Sequence, residues 1–113
     1  MERPSLGEIW LVDLNPTRGR EQAGNRPGLI VSVDLFNHGP ADLVVILPIT
    51  SKARNIPFHV RIDPQEGGLS QTSYIKCEDV RSVSKERLVR RLGAVTRETL
   101  TAVEDRLRIL LNL

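Results

Sequence analysis

The sequence predicts a mainly β domain finished by one helix, folded as a small, partly open barrel or a strongly curved sheet. Three observations predict it. Five or more short apolar runs follow one another through the first two-thirds of the chain, separated by Gly, Pro and Asn. The hydrophobic period lengthens from two to three or four only at the C-terminal end. No helical pattern long enough for a crossover lies between the apolar runs, which argues against a doubly wound parallel sheet.

The first strand is Ile9-Trp10-Leu11-Val12, bounded by Gly7 and by Asn15-Pro16. Residues 28–33 form a second and residues 43–49 a third, whose Val44, Val45 and Ile46 favour strand over helix. Pro48 near its end marks an edge, a bulge or the strand's terminus. Phe58, Val60 and Ile62 alternate with His59, Arg61 and Asp63, the pattern of a half-buried strand. Pro64 and Gly67-Gly68 break the chain before short strands at 73–77 and 80–83. Ser84-Lys85-Glu86-Arg87 makes one helical turn, and a last strand runs from Leu88 to Ala94. Leu100, Val103, Leu107, Leu110 and Leu111 then recur at helical spacing, with Thr96 as N-cap and Glu98 in the first turn.

With 113 residues, no repeat and no low-complexity linker, residues 1–113 are read as a single domain with one packed core. Hydrophobic residues at 40% and charged residues at 27% exclude a disordered chain. The lone Cys77 excludes a disulfide framework and a clustered-thiolate zinc site. No run approaches the ~20 apolar residues of a membrane span. Met1-Glu2-Arg3-Pro4 does not read as a signal peptide, so the expectation is a cytoplasmic protein. A net charge of +2 is a weak bias, and a nucleic-acid partner requires the cations to be gathered locally.

The stretch from Asn15 to Pro27 holds almost nothing apolar and is far longer than the usual hairpin loop of about 2–5 residues. Its glycines permit close approach of a ligand, and Arg18, Arg20 and Arg26 carry the planar charge that suits phosphate. A solvated surface loop is the alternative reading. Residues 7–19, GEIWLVDLNPTRG, followed by Glu21-Gln22-Ala23-Gly24-Asn25-Arg26-Pro27, resemble the MazF/PemK toxins of bacterial type II toxin–antitoxin systems. The resemblance continues through Leu47-Pro48-Ile49-Thr50-Ser51-Lys52 and from Asp79 to Leu88, and so spans nearly the whole chain. It implies an SH3-like or CcdB-like barrel and a homodimer. It also implies a metal-independent, sequence-specific endoribonuclease acting on single-stranded mRNA, with no cofactor. The implied protein partner is a cognate antitoxin with an acidic, disordered tail.

Metal-free RNA cleavage uses the substrate's 2′-hydroxyl as nucleophile. The protein must remove that proton, stabilise charge on phosphorus and protonate the departing 5′-oxygen, leaving 2′,3′-cyclic phosphate and 5′-hydroxyl ends. Histidine pairs are a familiar solution near neutral pH, but His38 and His59 both lie outside the family-like motifs. The resemblance assigns the central role to Arg26, whose guanidinium can grip two phosphate oxygens. Its pKa above about 12 makes it a poor base and an easier proton donor. Glu21 is either the base or a positioner of Arg26. Thr50 occupies the family's catalytic threonine position, and Ser51 could share its phosphate contact.

Arg18, Arg20, Lys52 and Arg54 are candidates for the RNA backbone, and Gln22, Asn25, Phe36 and Asn37 for the bases. Arg81 reads equally as a phosphate contact or a structural ion pair. Relatives commonly carry glutamine where this chain has Asp79; either that carboxylate points away from RNA or the preferred motif differs. A toxin of the same fold that poisons gyrase without catalysis is the alternative function, against which the Arg26-Pro27 and Thr50 motifs speak.

Overall fold

A computed structural model describes residues 3–15 and 24–113. Strands β1 (Glu8–Asp13), β2 (Asn25–Ile30), β3 (Leu43–Thr50), β4 (His59–Ile62), β5 (Ser73–Lys76), β6 (Arg81–Ser84) and β7 (Leu88–Ala94) precede the C-terminal helix. A four-residue helix, α1 (Asp34–Asn37), links β2 to β3, and α2 (Arg97–Leu111) ends the chain. The sheet runs β4-β5-β3-β2-β1-β7, with β6 also paired to β3, and every pairing is antiparallel. No ladder joins β4 to β7 among the described residues, so the sheet curves without closing.

β3 carries apolar residues on both faces because both faces are covered. Leu47 and Ile49 join Ile9, Leu29, Val60, Ile62 and Ile75 in one core cluster, over which α2 lays Val103. Val44 and Ile46 join Trp10, Val12, Leu14, Ile30 and Val83 in the other. Thr96 caps α2 by accepting the Thr99 N–H, as its position before the apolar stripe predicts.

Pro48 sits inside β3, not at its edge or end. The Val31 N–H donates to the Val45 carbonyl at 3.0 Å, so odd-numbered residues of β3 turn their backbone groups toward β2. Pro48 therefore points its nitrogen the other way. On that side β3 is paired to β6 up to Ile46 and to β5 from Ile49 onward. The proline falls in the gap, where a missing N–H forfeits no ladder bond.

Residues 34–37, in the connection between the second and third strands, form α1. The reason is Asn37, fully buried at 0% exposure. Its amide nitrogen donates to the Ser32 carbonyl at 2.7 Å and to the Asp34 carboxylate at 3.2 Å, while its oxygen accepts from the Ser32 hydroxyl. Ser32 in turn accepts the Val45 N–H at 2.9 Å, tying the turn to β3. An Asn37→Ala variant strands this network in a dry site. It should lose about 2 kcal/mol, read as a lower urea midpoint with an unchanged m-value.

Candidate active site

β2 begins at Asn25, so Arg26 and Pro27 belong to a strand and not to the long loop that the sequence suggested. The ends of that loop are pinned. Gly24 adopts a φ of +78°, where a side chain is disfavoured; its N–H donates to the Asn15 side chain at 2.9 Å, and its carbonyl accepts the Leu14 N–H at 3.0 Å. The Arg87 guanidinium donates to the Asp13 carbonyl at 3.2 Å and to that of Asn15.

The β2–β3 register pairs Gly28 with Pro48 and Leu29 with Leu47. Extended toward the start of β2, it sets Arg26 opposite Thr50. Both line a cleft of about 880 Å³. Ser51, Lys52 and Arg54 follow from the end of β3 and line it as well. Thr50 Oγ1 accepts the Lys52 N–H at 3.2 Å, which orients the hydroxyl and leaves its own proton for another acceptor.

The other predicted residues distribute differently. Arg18, Arg20, Glu21 and Gln22 lie outside the described residues. Asn25 is exposed at the start of β2, opposite Asp13, and is not part of the cleft wall. Phe36 and Asn37 sit beyond the opposite end of β2. A base contact by Asn37 is corrected outright, since a fully buried amide bonded to its own turn has no reach to RNA. Phe36 is half-buried beside it, away from the cleft.

Arg81 makes an ion pair with Asp79. Its Nε and Nη2 grip the two Asp79 oxygens at 2.9 and 2.8 Å, and the Lys76 ammonium stands 3.5 Å from the same carboxylate. Burial pushes the Asp79 carboxyl up, but the Arg81 bonds and charge, with Lys76, outweigh it and hold the group below its ordinary value of 3.8. A depressed folded value means stability that is present above the unfolded value near 4 and lost as pH falls through the folded one. Asp79→Asn should therefore lower the urea midpoint at pH 7, and its deficit against the parent should shrink as pH is taken below about 4.

Several cleft residues escaped the sequence reading, and His59 was weighed there only as half of a histidine pair. His59, Lys76 and Glu78 form one wall, with Ser70 and Gln71 from the turn before β5. β4 pairs His59 with Lys76, and the His59 Nε2 lies 2.8 Å from a Glu78 oxygen. The available signal was the alternation that puts His59 between Phe58 and Val60, and Lys76 between Ile75 and Cys77, on the face away from the core. His38 bonds the Pro4 carbonyl at 2.9 Å, near α1, so the two histidines do not share a site. Cys77 is buried, and burial followed by the Glu78 charge pushes its thiol up to about 12, consistent with a packing role.

The cleft thus gathers arginine, lysine and hydroxyl groups at the mouth of a curved sheet. The family profile described as "PemK-like, MazF-like toxin of type II toxin-antitoxin system" matches residues 5–111. The chain belongs to this family. Endoribonuclease MazF9 of Mycobacterium tuberculosis is 36% identical over 112 residues, covering 95% of each chain. The crystal structure of MazF from Deinococcus radiodurans superposes with a TM-score of 0.88 at 27% identity, covering 100% of both chains. An endoribonuclease from a mycobacterial species, solved in complex with its cognate antitoxin, gives 0.79 at 26% identity, covering 100% of this chain and 97% of that one. As in other members of the PemK/MazF family, the architecture is a β sheet of seven antiparallel strands, left open, with a C-terminal helix.

Proposed function

We propose that this PemK/MazF-family chain is the toxin of a type II pair and cleaves single-stranded RNA at specific sequences, without a metal. The observation that carries the reading is the facing of Arg26 and Thr50 across β2 and β3 in a cleft that also holds Lys52, Arg54 and Lys76. A phosphodiester seated there meets a planar guanidinium on one side and a hydroxyl donor on the other. The 2′-oxygen attacks phosphorus as the bond to the 5′-oxygen breaks. Arg26 and Thr50 donate to the non-bridging oxygens, where charge accumulates. The 2′-hydroxyl proton passes to Glu21, or to water where Glu21 only positions Arg26, and the Arg26 guanidinium gives a proton to the departing 5′-oxygen.

The same cations attract carboxylates, which supports an antitoxin whose acidic, disordered tail folds across the cleft and excludes RNA. The solved complex of a relative with its cognate antitoxin supports this pairing. Homodimerisation and a cytoplasmic location complete the reading, and no described helix is long and apolar enough to cross a membrane.

The test is purified protein with a long mixed-sequence RNA in excess EDTA. Cuts at a short recurrent motif, bearing 2′,3′-cyclic phosphate and 5′-hydroxyl ends, are expected. A single deoxynucleotide placed 5′ to the cut should block it. Cleavage that appears only on adding Mg²⁺, or that proceeds through the deoxynucleotide, overturns the proposal.

A further inference from the structure

The His59–Glu78 pair has no part in the chemistry above, yet it is built into the cleft wall. The His59 side chain is only 4% exposed, and its Nδ1 is buried without a hydrogen-bond partner. Nδ1 faces no acceptor and Nε2 faces a carboxylate, so Nε2 is the nitrogen placed to donate. That nitrogen donates to a Glu78 oxygen at 2.8 Å. The β4–β5 ladder fixes the backbone that carries the imidazole, with His59 opposite Lys76. Glu78 is 30% exposed, so one carboxylate oxygen is clamped from behind while the group faces the cleft.

Its position along the cleft separates it from the reacting phosphate. Tyr74 is the strand partner of Thr50, and Glu78 lies beyond Lys76, past the end of β5. At about 3.3 Å per residue, the three steps from Tyr74 to the turn advance roughly 10 Å. That is too far for a proton transfer at the phosphate held by Arg26 and Thr50, and suited to a neighbouring nucleotide. Lys76 beside it, with Lys52 and Arg54, answers the backbone charge, so a carboxylate here does not repel the strand as a whole.

We propose that Glu78, positioned by His59, reads one base of the bound RNA and selects guanine against uracil at that place. The inference rests on the ribonuclease reading and extends it to specificity. A carboxylate presents acceptors and no donor. Guanine offers two adjacent donors on its Watson–Crick edge, N1–H and the N2 amino group, and so meets both oxygens. Uracil offers one N–H flanked by two carbonyls, which oppose the carboxylate. A single-stranded base exposes that edge for readout.

The experiment is cleavage of an RNA library randomised around a site, sequenced for the parent protein and for Glu78→Gln. The parent should cut RNAs with guanine at one fixed position roughly tenfold or more faster than those with uracil there. An amide offers one donor and one acceptor. Glu78→Gln should therefore lose that guanine preference and move toward adenine, with the other positions unchanged and the rate on its best sequence within about tenfold of the parent. Should Glu78→Gln lose its circular dichroism signature, Glu78→Asp keeps the charge but withdraws it by one methylene, and the guanine preference should drop several-fold at that position alone. An unchanged preference in the folded variant, no guanine preference in the parent, or loss of all cleavage in a folded Glu78→Gln each overturns the inference. A parent that cuts no RNA fails the ribonuclease reading instead.

Discussion

Arg26→Ala should cut RNA roughly 10²–10³-fold more slowly than the parent, the loss seen when one preorganised donor is removed from a developing oxyanion. The fold should not suffer. Arg26 is exposed near the start of β2, and its neighbours Gly28, Leu29 and Ile30 supply the packing. The effect should fall on the rate at saturating RNA more than on half-saturation, because Lys52, Arg54 and Lys76 still hold the backbone. Single-turnover cleavage of a short RNA beside a thermal melt checks both halves. Growth arrest should vanish with the activity. A folded Arg26→Ala protein that still arrests growth would instead favour a toxin acting by binding, as the gyrase-poisoning toxins of this fold do.

How much of this was legible in the sequence follows from what each feature depends on. Strands whose apolar residues alternate or run on, such as β1, β3 and β4, declare themselves because the pattern is the burial. Pro48 misled because its tolerance depends on β3 changing partners from β6 to β5, a property of the assembled sheet. The helix α1 was hidden for a different reason. Four residues carry no period, and the turn is held by one buried amide, Asn37, whose partners only the fold brings near.

The cleft divides the same way. Arg26, Thr50, Ser51, Lys52 and Arg54 come from two continuous motifs, and a short register extension places them together. His59, Lys76 and Glu78 are polar residues in otherwise ordinary strands and turns, and only the pairing of β4 with β5 makes them a wall. Asp79, flagged in the sequence as a carboxylate out of place near phosphate, is neutralised by Arg81 and Lys76, a contact that residue identity alone left open.

Gly68→Ala should be the most damaging substitution to the fold, although the sequence marks Gly67-Gly68 only as a chain break. Gly68 sits at a φ of +78°, where alanine is strained by about 1 kcal/mol or more. A Cβ there would also come within 2.8 Å of the Leu92 carbonyl carbon and closer still to its oxygen, both rigid backbone of β7. Nor can β7 recede. On the other side of this contact a Cβ at Gly93 would lie 2.5 Å from the Gly67 carbonyl carbon, and β7 is laddered to β1 along its length. Strain and overpacking together should cost about 3 kcal/mol, or roughly 10 °C in melting temperature. The same turn leads through Leu69 into Ser70 and Gln71 on the cleft wall, so activity should fall at temperatures where the protein remains folded. Differential scanning calorimetry of Gly68→Ala, with cleavage assayed about 15 °C below its own melting point, separates the two losses. A melt within 2 °C of the parent would mean that this turn does not brace β7.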